Sequence, residues 1–354
     1  MISENIMHNY IIIIGFISFF IFLLISKLAE NKKFNLFLDK DFNKPQAFHD
    51  QSIPRIGGLA SIICLIVFFT SFSLIFKFNN SEYFFFAIIF FILGFLDDTK
   101  VSLKPITRLA LMIIFLTIGI YLFNIEITKT GFTFLNNWLE NSFFQYIFLI
   151  LCFLFIINGC NLTDGFNGLL AIHLIIINSI LLYTSLDNEF SNFNLFLSGQ
   201  IFIIFCFLLF NFPKAKIFMG DSGAYLFGSI TSLNVIQTSI NNPNISPLFF
   251  TTLLFYFFFE VFFSFIRKLK SGKSPLKPDS KHLHMLIFKY IKAKKFSQPN
   301  PFTGFFVNLI FLLLIIPGMF LRENGLLCRY WFLFQLIAYL FLYLRFYNFT
   351  KKLN

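Results

Sequence analysis

Four aspartates stand in short polar stretches that interrupt an otherwise apolar chain. Asp97 and Asp98 lie in LGFLDDTK, Asp164 lies in NGCNLTDGFNGL, and Asp221 lies in MGDSG. Carboxylate oxygens bind Mg²⁺ most often together with the oxygens of a phosphate ligand. If the fold brings the three stretches together, they predict a divalent-cation site with phosphate as a co-ligand.

Each aspartate also has a structural interpretation. Asp97 and Asp98 end a predicted helix, where the helix dipole disfavours acid, so a cation or a proton-accepting role is the better explanation. Asp164 suits a turn or cap before the next helix. Asp221 suits a helix N-cap, and a helix N-terminus is also a phosphate site. The capping and ligand-binding interpretations of Asp221 are compatible.

The stretch around Asp164 carries further polar residues. If its first part is helical, Asn158 and Asn161 share one face at a spacing of three residues. Gly165 and Gly168 allow the backbone to approach a ligand closely. These residues favour a site over a plain polar turn.

A basic loop, SGKSPLKPDSKHLHM, holds His282 and His284 two residues apart. The pair is a weak zinc candidate because no third His or Cys is nearby. As phosphate-binding cations the two histidines suit a loop that also contains several lysines. The structural alternative is a solvated basic loop that faces anionic lipid.

The elements that position these residues are membrane helices. The chain is 57% hydrophobic, has a mean hydropathy of +0.76 and contains 60 Phe. Apolar segments of about 20 residues match the length that crosses a bilayer. The sequence predicts an all-α, multi-pass membrane protein with about eleven spans, at roughly 10–26, 57–76, 83–96, 107–123, 143–158, 169–186, 193–212, 222–240, 247–266, 303–320 and 329–347.

The basic residues predict the orientation. With the N-terminus outside, only four of the 28 Lys and Arg residues fall in outside loops: Lys77, Lys129, Arg322 and Arg329. All the acidic motifs then lie on the cytoplasmic face. The net charge of +11 follows from this topology. A nucleic-acid partner is not expected, because no soluble basic domain remains to bind one.

The chain is predicted to be a single transmembrane domain, 1–354, with a basic cytoplasmic loop at about 267–302. The five Cys form no CxxC motif and imply neither disulfides nor zinc. No P-loop, G-x-S-x-G or GxGxxG motif occurs, which excludes the corresponding ATPase, hydrolase and dinucleotide classes. Acidic motifs, a metal and many cations at one membrane face suit phosphoryl transfer to a lipid acceptor.

A different class of protein remains as an alternative. Intramembrane polar residues also mark transport paths, so a non-enzymatic lipid or ion transporter or scramblase is considered. A transporter would place acids or broken helices near mid-membrane in both halves of the chain. Only Glu260 is predicted to be an acid buried within a helix.

The chain resembles the polyprenyl-phosphate N-acetylhexosamine-1-phosphate transferase family over nearly its whole length, on five motifs in order: SIPRIGGLA, LGFLDDTK, NGCNLTDGFNGLLA, AKIFMGDSGAYLFG and SGKSPLKPDSKHLHM. The resemblance implies transfer of a sugar-1-phosphate from a UDP-N-acetylhexosamine to polyprenyl phosphate, with release of UMP. It also implies dependence on Mg²⁺, for which Mn²⁺ substitutes, and a place in the bacterial inner membrane. A homodimer is left open.

The resemblance assigns roles to the acidic motifs. It implies that Asp97 and Asp98 position or deprotonate the lipid phosphate. Asp221 with Asn161 is similar to the family's Mg²⁺ site. Asp164 is similar to the acidic residue near the metal and the diphosphate.

The resemblance also assigns substrate-binding residues. Asn167 and Gly168 resemble the part that recognises uridine. Four further positions resemble phosphate-binding residues: Lys104, Lys268, His282 and His284.

The loop motif SP-x-x-PD-x-x-HLH resembles the branch that initiates O-antigen, common-antigen or teichoic-acid linkage units. The phospho-MurNAc-pentapeptide transferase branch carries three consecutive His, and it is the alternative for the substrate. The chain departs from the family pattern at Met285, at Ser280 with Lys281, and at Lys268. Glu260 stands where many members have Asp. These departures bear on the sugar more than on the reaction.

Overall fold

The computed structural model describes residues 4–29, 52–99, 101, 103–186, 191–275, 277 and 279–352. This part of the chain is all-helical, as predicted, and contains no β-strand. Part of the predicted inner region 27–55 lies outside the described residues. The helices are α1 Glu4–Ala29, α2 Gly57–Phe76, α3 Ser81–Asp98, α4 Pro105–Leu122, α5 Thr133–Leu139, α6 Ser142–Thr163, α7 Leu169–Ser185, α8 Asn192–Asn211, α9 Gly220–Asn241, α10 Pro247–Leu253, α11 Phe255–Lys270, α12 Leu283–Ala293, α13 Pro299–Phe320 and α14 Gly325–Lys351.

Among the described helices, seven are long and apolar enough to cross a bilayer, namely α1, α2, α4, α6, α8, α13 and α14. An eighth span results if α10 and α11, which meet at a bend of 71°, are counted together. The other three predicted segments fall on α3, α7 and α9, which are shorter or more polar. The protein is therefore a multi-pass membrane protein. The count of eleven spans and the outside N-terminus stay predictions.

Helix α9 lies at the centre of the bundle, and this explains its polar sequence. It packs against α2, α3, α6 and α7. Its Asn234 side chain donates to Asn178 Oδ1 at 2.8 Å and to Gln200 Oε1 at 2.7 Å, within the bundle. A helix surrounded by other helices does not need the apolar surface that lipid demands, and its polar side chains can bond to those of neighbouring helices.

Helices α3 and α9 approach closely because α3 has a glycine at the point of contact. A methyl group on Gly94 would lie 2.3 Å from the Asp221 carbonyl oxygen and 2.4 Å from the Ser222 nitrogen. Small residues let helix backbones come together in membrane proteins. The end of α3 and the start of α9 are thereby held side by side.

Replacing Gly94 by Ala is expected to lower the thermal midpoint of the detergent-solubilised protein by several degrees. The added methyl group meets backbone atoms that cannot move independently, and such overpacking costs about 1–3 kcal/mol. A melting curve followed by intrinsic fluorescence measures the change. Gly15→Ala in α1 is the matched control, because its methyl group would meet only Phe202, at 3.5 Å. Equal midpoints for the two variants would contradict the close contact.

The structure differs from the sequence prediction in the end of one helix and in the presence of one additional helix. Helix α6 runs to Thr163, so Asn158 and Asn161 lie on its last turns, and only the residues from Asp164 onward form a loop. The basic loop contains a helix of its own, α12, which was not predicted. Its run LHMLIFKYIKA is too short and too charged to be recognised as a membrane span.

Candidate active site

Asp98 holds the first turn of α9. Its carboxylate accepts hydrogen bonds from the Asp221 nitrogen at 3.0 Å, the Ser222 nitrogen at 2.9 Å and Ser222 Oγ at 2.6 Å. Gly220, at a φ of 76°, gives the chain the left-handed turn that aims these donors at Asp98. The helix N-terminus thus compensates the acid at the end of α3. The expected divalent cation or proton-accepting role for Asp97 and Asp98 stays a prediction.

Asp97 pairs with an arginine that sequence reasoning did not select. Arg108, near the start of α4, forms an ion pair and a hydrogen bond with Asp97. The same guanidinium lies 3.7 Å from Asp221 Oδ2 and 5.7 Å from the centre of the Tyr225 ring. Asp97 and Asp221 therefore share one positive charge across three helices.

The polar residues at the end of α6 reach the same turn of α9. Asn161 Nδ2 donates to Asp221 Oδ1 at 2.9 Å, and Asp164 Oδ2 accepts from the Gly220 nitrogen at 3.1 Å. The structure thus brings Asp97, Asp98, Asp164 and Asp221 together around the first turn of α9, as the motifs require.

The environment of Asp164 favours the protonated form of its carboxyl group. Burial raises the pKa of Asp164 to about 7. The charge of Arg55 opposes this shift, the charge of Asp221 adds to it, and the hydrogen bond from Gly220 opposes it. A carboxyl group in this range can hold or release a proton at the pH of the cell.

Arg55 approaches the cluster from the segment before α2. The Phe218 nitrogen donates to the Pro54 carbonyl oxygen at 2.9 Å, and the Gly57 nitrogen donates to the Phe218 carbonyl oxygen at 2.8 Å. This pairing places Arg55 Nη1 at 4.0 Å from Asp98 Oδ1. The cluster of four aspartates therefore has arginines on two sides.

The oxygen-bearing side chains of the cluster fit only one type of metal site, in which the protein supplies few of the ligands. In the described part of the chain, no three His, Cys, Asp or Glu side chains are arranged to hold a metal ion. Asp221 and Asn161 are adjacent oxygen-bearing side chains, and Asp221 retains a quarter of its side-chain exposure. Mg²⁺ commonly takes one or two protein ligands and completes its shell with water and substrate phosphate. The pair fits that type of site.

Asn167 and Gly168 lie farther along the same loop, where α8 and α13 hold them. The Asn167 nitrogen donates to Asn300 Oδ1 at 2.8 Å, and its Nδ2 donates to the Pro213 carbonyl oxygen at 2.9 Å. The Gly168 nitrogen donates to Asn211 Oδ1 at 2.7 Å. These contacts fix the loop backbone, and the predicted role in uridine recognition stays a prediction.

His282 is oriented by a buried carboxylate. Its Nδ1 lies 2.9 Å from Glu260 Oε2, and Glu260 Oε1 accepts from the Leu283 nitrogen at 3.0 Å and from Tyr339 Oη at 2.9 Å. Glu260 is buried, as predicted, and it caps the first turn of α12. The Nε2 atom of His282 is buried, lies 3.6 Å from Asp279 Oδ1, and has no hydrogen-bond partner among the described residues.

His284 joins the histidine pair to the aspartate cluster. Its ring lies parallel to that of His282 at 5.5 Å, and its Nδ1 lies 3.1 Å from Tyr256 Oη. Phe166, two residues after Asp164, packs edge-on against His284. Burial lowers the pKa of His284 to about 4, a shift that the charge of Glu260 opposes and that of His282 reinforces. His284 is thus a neutral hydrogen-bonding group at pH 7, which differs from the expected cation.

The two predicted phosphate-binding lysines lie in different parts of the structure. Lys268 Nζ donates to the Pro275 carbonyl oxygen at 3.0 Å and to the Lys277 carbonyl oxygen at 2.8 Å, so it braces the basic loop. Lys104 is exposed at the N-cap of α4, one turn before Arg108. The assignment of both lysines to phosphate binding stays a prediction.

Sequence reasoning missed Arg108, and it quoted Arg55 without giving it a role. Arg108 is the only charged residue in α4. A charge retained at the end of an apolar span is the signal that would have identified it. Ser222 gave no such signal, because nothing in its local sequence indicates the contact with Asp98.

Comparison with known proteins gives a consistent result. Residues 81–239 match the family profile described as glycosyl transferase family 4. The chain is 28% identical over 280 residues to an undecaprenyl-phosphate alpha-N-acetylglucosaminyl 1-phosphate transferase of Thermotoga maritima, covering 78% of this chain and 80% of that protein. It is 30% identical over 324 residues to a phospho-N-acetylmuramoyl-pentapeptide-transferase of Dictyoglomus thermophilum, covering 87% of this chain and 97% of that protein.

Proposed function

Because the chain belongs to glycosyl transferase family 4, we propose that it transfers an N-acetylhexosamine-1-phosphate from a UDP-sugar to polyprenyl phosphate. An oxygen of the lipid phosphate forms a bond to the phosphorus that carries the sugar. The bond from that phosphorus to the bridging oxygen breaks, and UMP leaves. The product is a polyprenyl-diphosphate-linked sugar that initiates an envelope polymer.

The observation that carries this proposal is the convergence of four aspartates on the first turn of α9. Reaction between a diphosphate and a lipid phosphate brings two anions together, so the site must supply positive charge and orientation. Arg108 and Arg55 supply fixed positive charge, and Asp98 holds the first turn of α9 in place. Asp221 and Asn161 would hold a Mg²⁺ ion, which when bound would supply positive charge to the diphosphate.

We assign Asp97, with Arg108, to the lipid phosphate. Asp98 is engaged by three donors and fully buried, whereas the Asp97 side chain retains 12% exposure. Asp97 is therefore the member of the pair that a substrate can reach, and Asp98 acts as a positioning residue. Asp164, whose pKa is raised by burial, is placed to hold a proton beside the diphosphate.

The transporter alternative draws its support from the bend between α10 and α11 and from buried Glu260. Broken helices and buried acids do occur in transport paths. Here, however, Glu260 is bonded to His282, Leu283 and Tyr339, so it joins three elements of the bundle. This arrangement favours a structural role for Glu260 over a role in a transport path. It therefore favours the enzyme over the transporter.

A transfer assay tests the function and the sugar together. Purified protein with polyprenyl phosphate and Mg²⁺ is offered radiolabelled UDP-GlcNAc, UDP-QuiNAc, UDP-FucNAc and UDP-MurNAc-pentapeptide in parallel. We expect lipid-linked label and UMP release with an N-acetylhexosamine donor lacking the peptide. Lipid-linked label from UDP-MurNAc-pentapeptide alone would assign the chain to the phospho-MurNAc-pentapeptide transferase branch. No label from any donor, with transport of lipid instead, would contradict the function.

The orientation in a bacterial inner membrane is also part of the proposal, with the cluster on the cytoplasmic face. We expect Glu140→Cys to react with a membrane-impermeant thiol reagent in intact cells and Lys273→Cys to react only after lysis. Both positions are exposed. The parent without its native cysteines measures the background. Labelling of Lys273→Cys alone in intact cells would reverse the orientation.

A further inference from the structure

A basic cavity lies between α12 and the end of α14, apart from the aspartate cluster. Its volume is about 490 Å³, and four lysines line it, namely Lys281, Lys289, Lys292 and Lys351. Tyr347 and Thr350 complete the α14 side of the wall, and Leu286 contributes apolar surface from α12. The proposed reaction uses none of these residues.

Among the described residues, the positive charge of this cavity has no carboxylate in contact with it. No Asp or Glu lines the cavity, and within the described part of the chain none of its four lysines forms an ion pair with a carboxylate. Asp279, the carboxylate that acts on Lys289 at longer range, is held by Arg267 at 2.6 Å. Burial and the charge of Lys281 lower the pKa of Lys289, and Asp279 opposes this shift.

The contacts of the lysines leave room for an anionic ligand. Lys281 Nζ lies 5.6 Å from the centre of the Tyr347 ring, and Lys292 Nζ lies 5.9 Å from that of Phe288. Lys289 Nζ reaches the Ser280 carbonyl oxygen at 3.3 Å. Ammonium groups held over aromatic rings and one carbonyl oxygen remain strong hydrogen-bond donors for a phosphate.

The place of the cavity in the fold indicates where its ligand comes from. Helix α14 is a membrane span that ends at Lys351, so the cavity lies where an apolar helix leaves the bilayer. Basic pockets at this level bind the headgroups of anionic lipids. Ala293 and Tyr347 provide the apolar surface that an acyl chain contacts and that a dissolved phosphate does not need.

Helix α12 separates this cavity from the proposed active site. Phe166, beside Asp164, packs against His284 and Phe288 on one face of the helix. Leu286 and Lys289 face the cavity on another side. A ligand in the cavity therefore contacts the helix that carries the histidine pair without entering the aspartate cluster.

We propose that this cavity binds the phosphate headgroup of an anionic phospholipid from the leaflet on the active-site side, and that the bound lipid fastens α12 to α14. The site is distinct from that of the polyprenyl phosphate substrate. Loss of transferase function would leave this binding site unaffected, so the two proposals fail separately.

The test compares two double variants of the full chain. Lys292→Gln with Lys351→Gln removes two charges from the cavity. Lys294→Gln with Lys352→Gln removes two charges from the same two elements outside it, and all four lysines are exposed. Retention of phosphatidylglycerol or phosphatidylcholine by the purified protein is measured by native mass spectrometry. The midpoint of thermal unfolding is measured with and without added phosphatidylglycerol.

We expect the cavity variant to bind phosphatidylglycerol about tenfold or more weakly than the wild type, since each lysine near the surface contributes about 1 kcal/mol. The control variant should stay within about twofold of the wild type. Phosphatidylglycerol should raise the unfolding midpoint of the wild type and the control but not of the cavity variant, while phosphatidylcholine should act on none of them.

Several outcomes would overturn the proposal. Equal weakening in both double variants would show diffuse attraction of the basic surface. Displacement of phosphatidylglycerol by inorganic phosphate at the same concentration would identify a free-phosphate site. A raised KM for polyprenyl phosphate in the cavity variant, with phosphatidylglycerol binding unchanged, would make the cavity part of the acceptor site.

Discussion

Asp221→Asn is expected to lower kcat by at least about two orders of magnitude, a usual loss when one electrostatic element of an active site is removed. The substitution keeps the size of the side chain and the backbone nitrogen that donates to Asp98. It removes the negative charge that faces Arg108 at 3.7 Å and replaces one carboxylate oxygen by an amide nitrogen, which does not bind Mg²⁺. Initial rates of UMP release under saturating substrates measure the change.

The Asp221→Asn substitution and a chelator should both impair the action of the divalent cation. EDTA should abolish the activity of the wild type, and Mg²⁺ or Mn²⁺ should restore it. Without a bound cation, Asp221 and Asn161 carry no positive charge that neutralises the negative charge of a diphosphate. Glu140→Gln, which removes an exposed carboxylate far along the chain, should keep the wild-type rate. Wild-type turnover in Asp221→Asn, or full activity in excess chelator, would contradict the metal assignment.

Arg108→Gln is expected to lower kcat/KM about a hundredfold or more. The guanidinium is the only cation in α4 and lies between Asp97 and Asp221. Its removal leaves the two carboxylates facing each other and takes away a charge that suits a phosphate oxygen. Arg108→Lys should recover little of the rate, since an ammonium group lacks the planar fork that binds a phosphate through two parallel hydrogen bonds.

A double-mutant cycle decides whether Arg108 works through Asp97. If the two residues act as a unit, Asp97→Asn combined with Arg108→Gln loses much less activity than the product of the two single losses. Lys77→Gln, an exposed cation outside the site, is the charge control and should be silent. Strictly multiplicative losses would separate the roles of Arg108 and Asp97. Wild-type activity in Arg108→Gln would show that Arg108 has no role in the active site.

Much of the site was predictable because its residues break a strong local pattern. In a chain of apolar helices, Asp97, Asp98, Asp164 and Asp221 stand out as polar groups at helix ends, and the bilayer length dictates where those ends fall. Their convergence in the structure follows from that topology. The same reasoning identified Glu260 as a buried acid before its partners were known.

Other features depend on contacts that no local pattern encodes. The partner of Asp97 lies eleven residues ahead on another helix, and that of Asp98 lies 124 residues ahead. Helix α12 was not predicted because it is short and charged, and its apolar face is buried only by packing against α13 and α14. Glu260 was predicted to be buried, but its bonds to His282 and Tyr339 join α11, α12 and α14.

The sequence by itself determined the membrane-spanning class, the all-helical content and the grouping of the acidic motifs, because bilayer thickness and helix period impose repeats that can be read along the chain. Only the tertiary structure decided which carboxylate supports the fold and which faces a substrate. That division arises from the close approach of α3 to α9 at Gly94, which turns the donors of Asp221 and Ser222 onto Asp98 and leaves Asp97 to Arg108. Such contacts depend on distances across helices, and those distances are fixed only when the whole bundle packs.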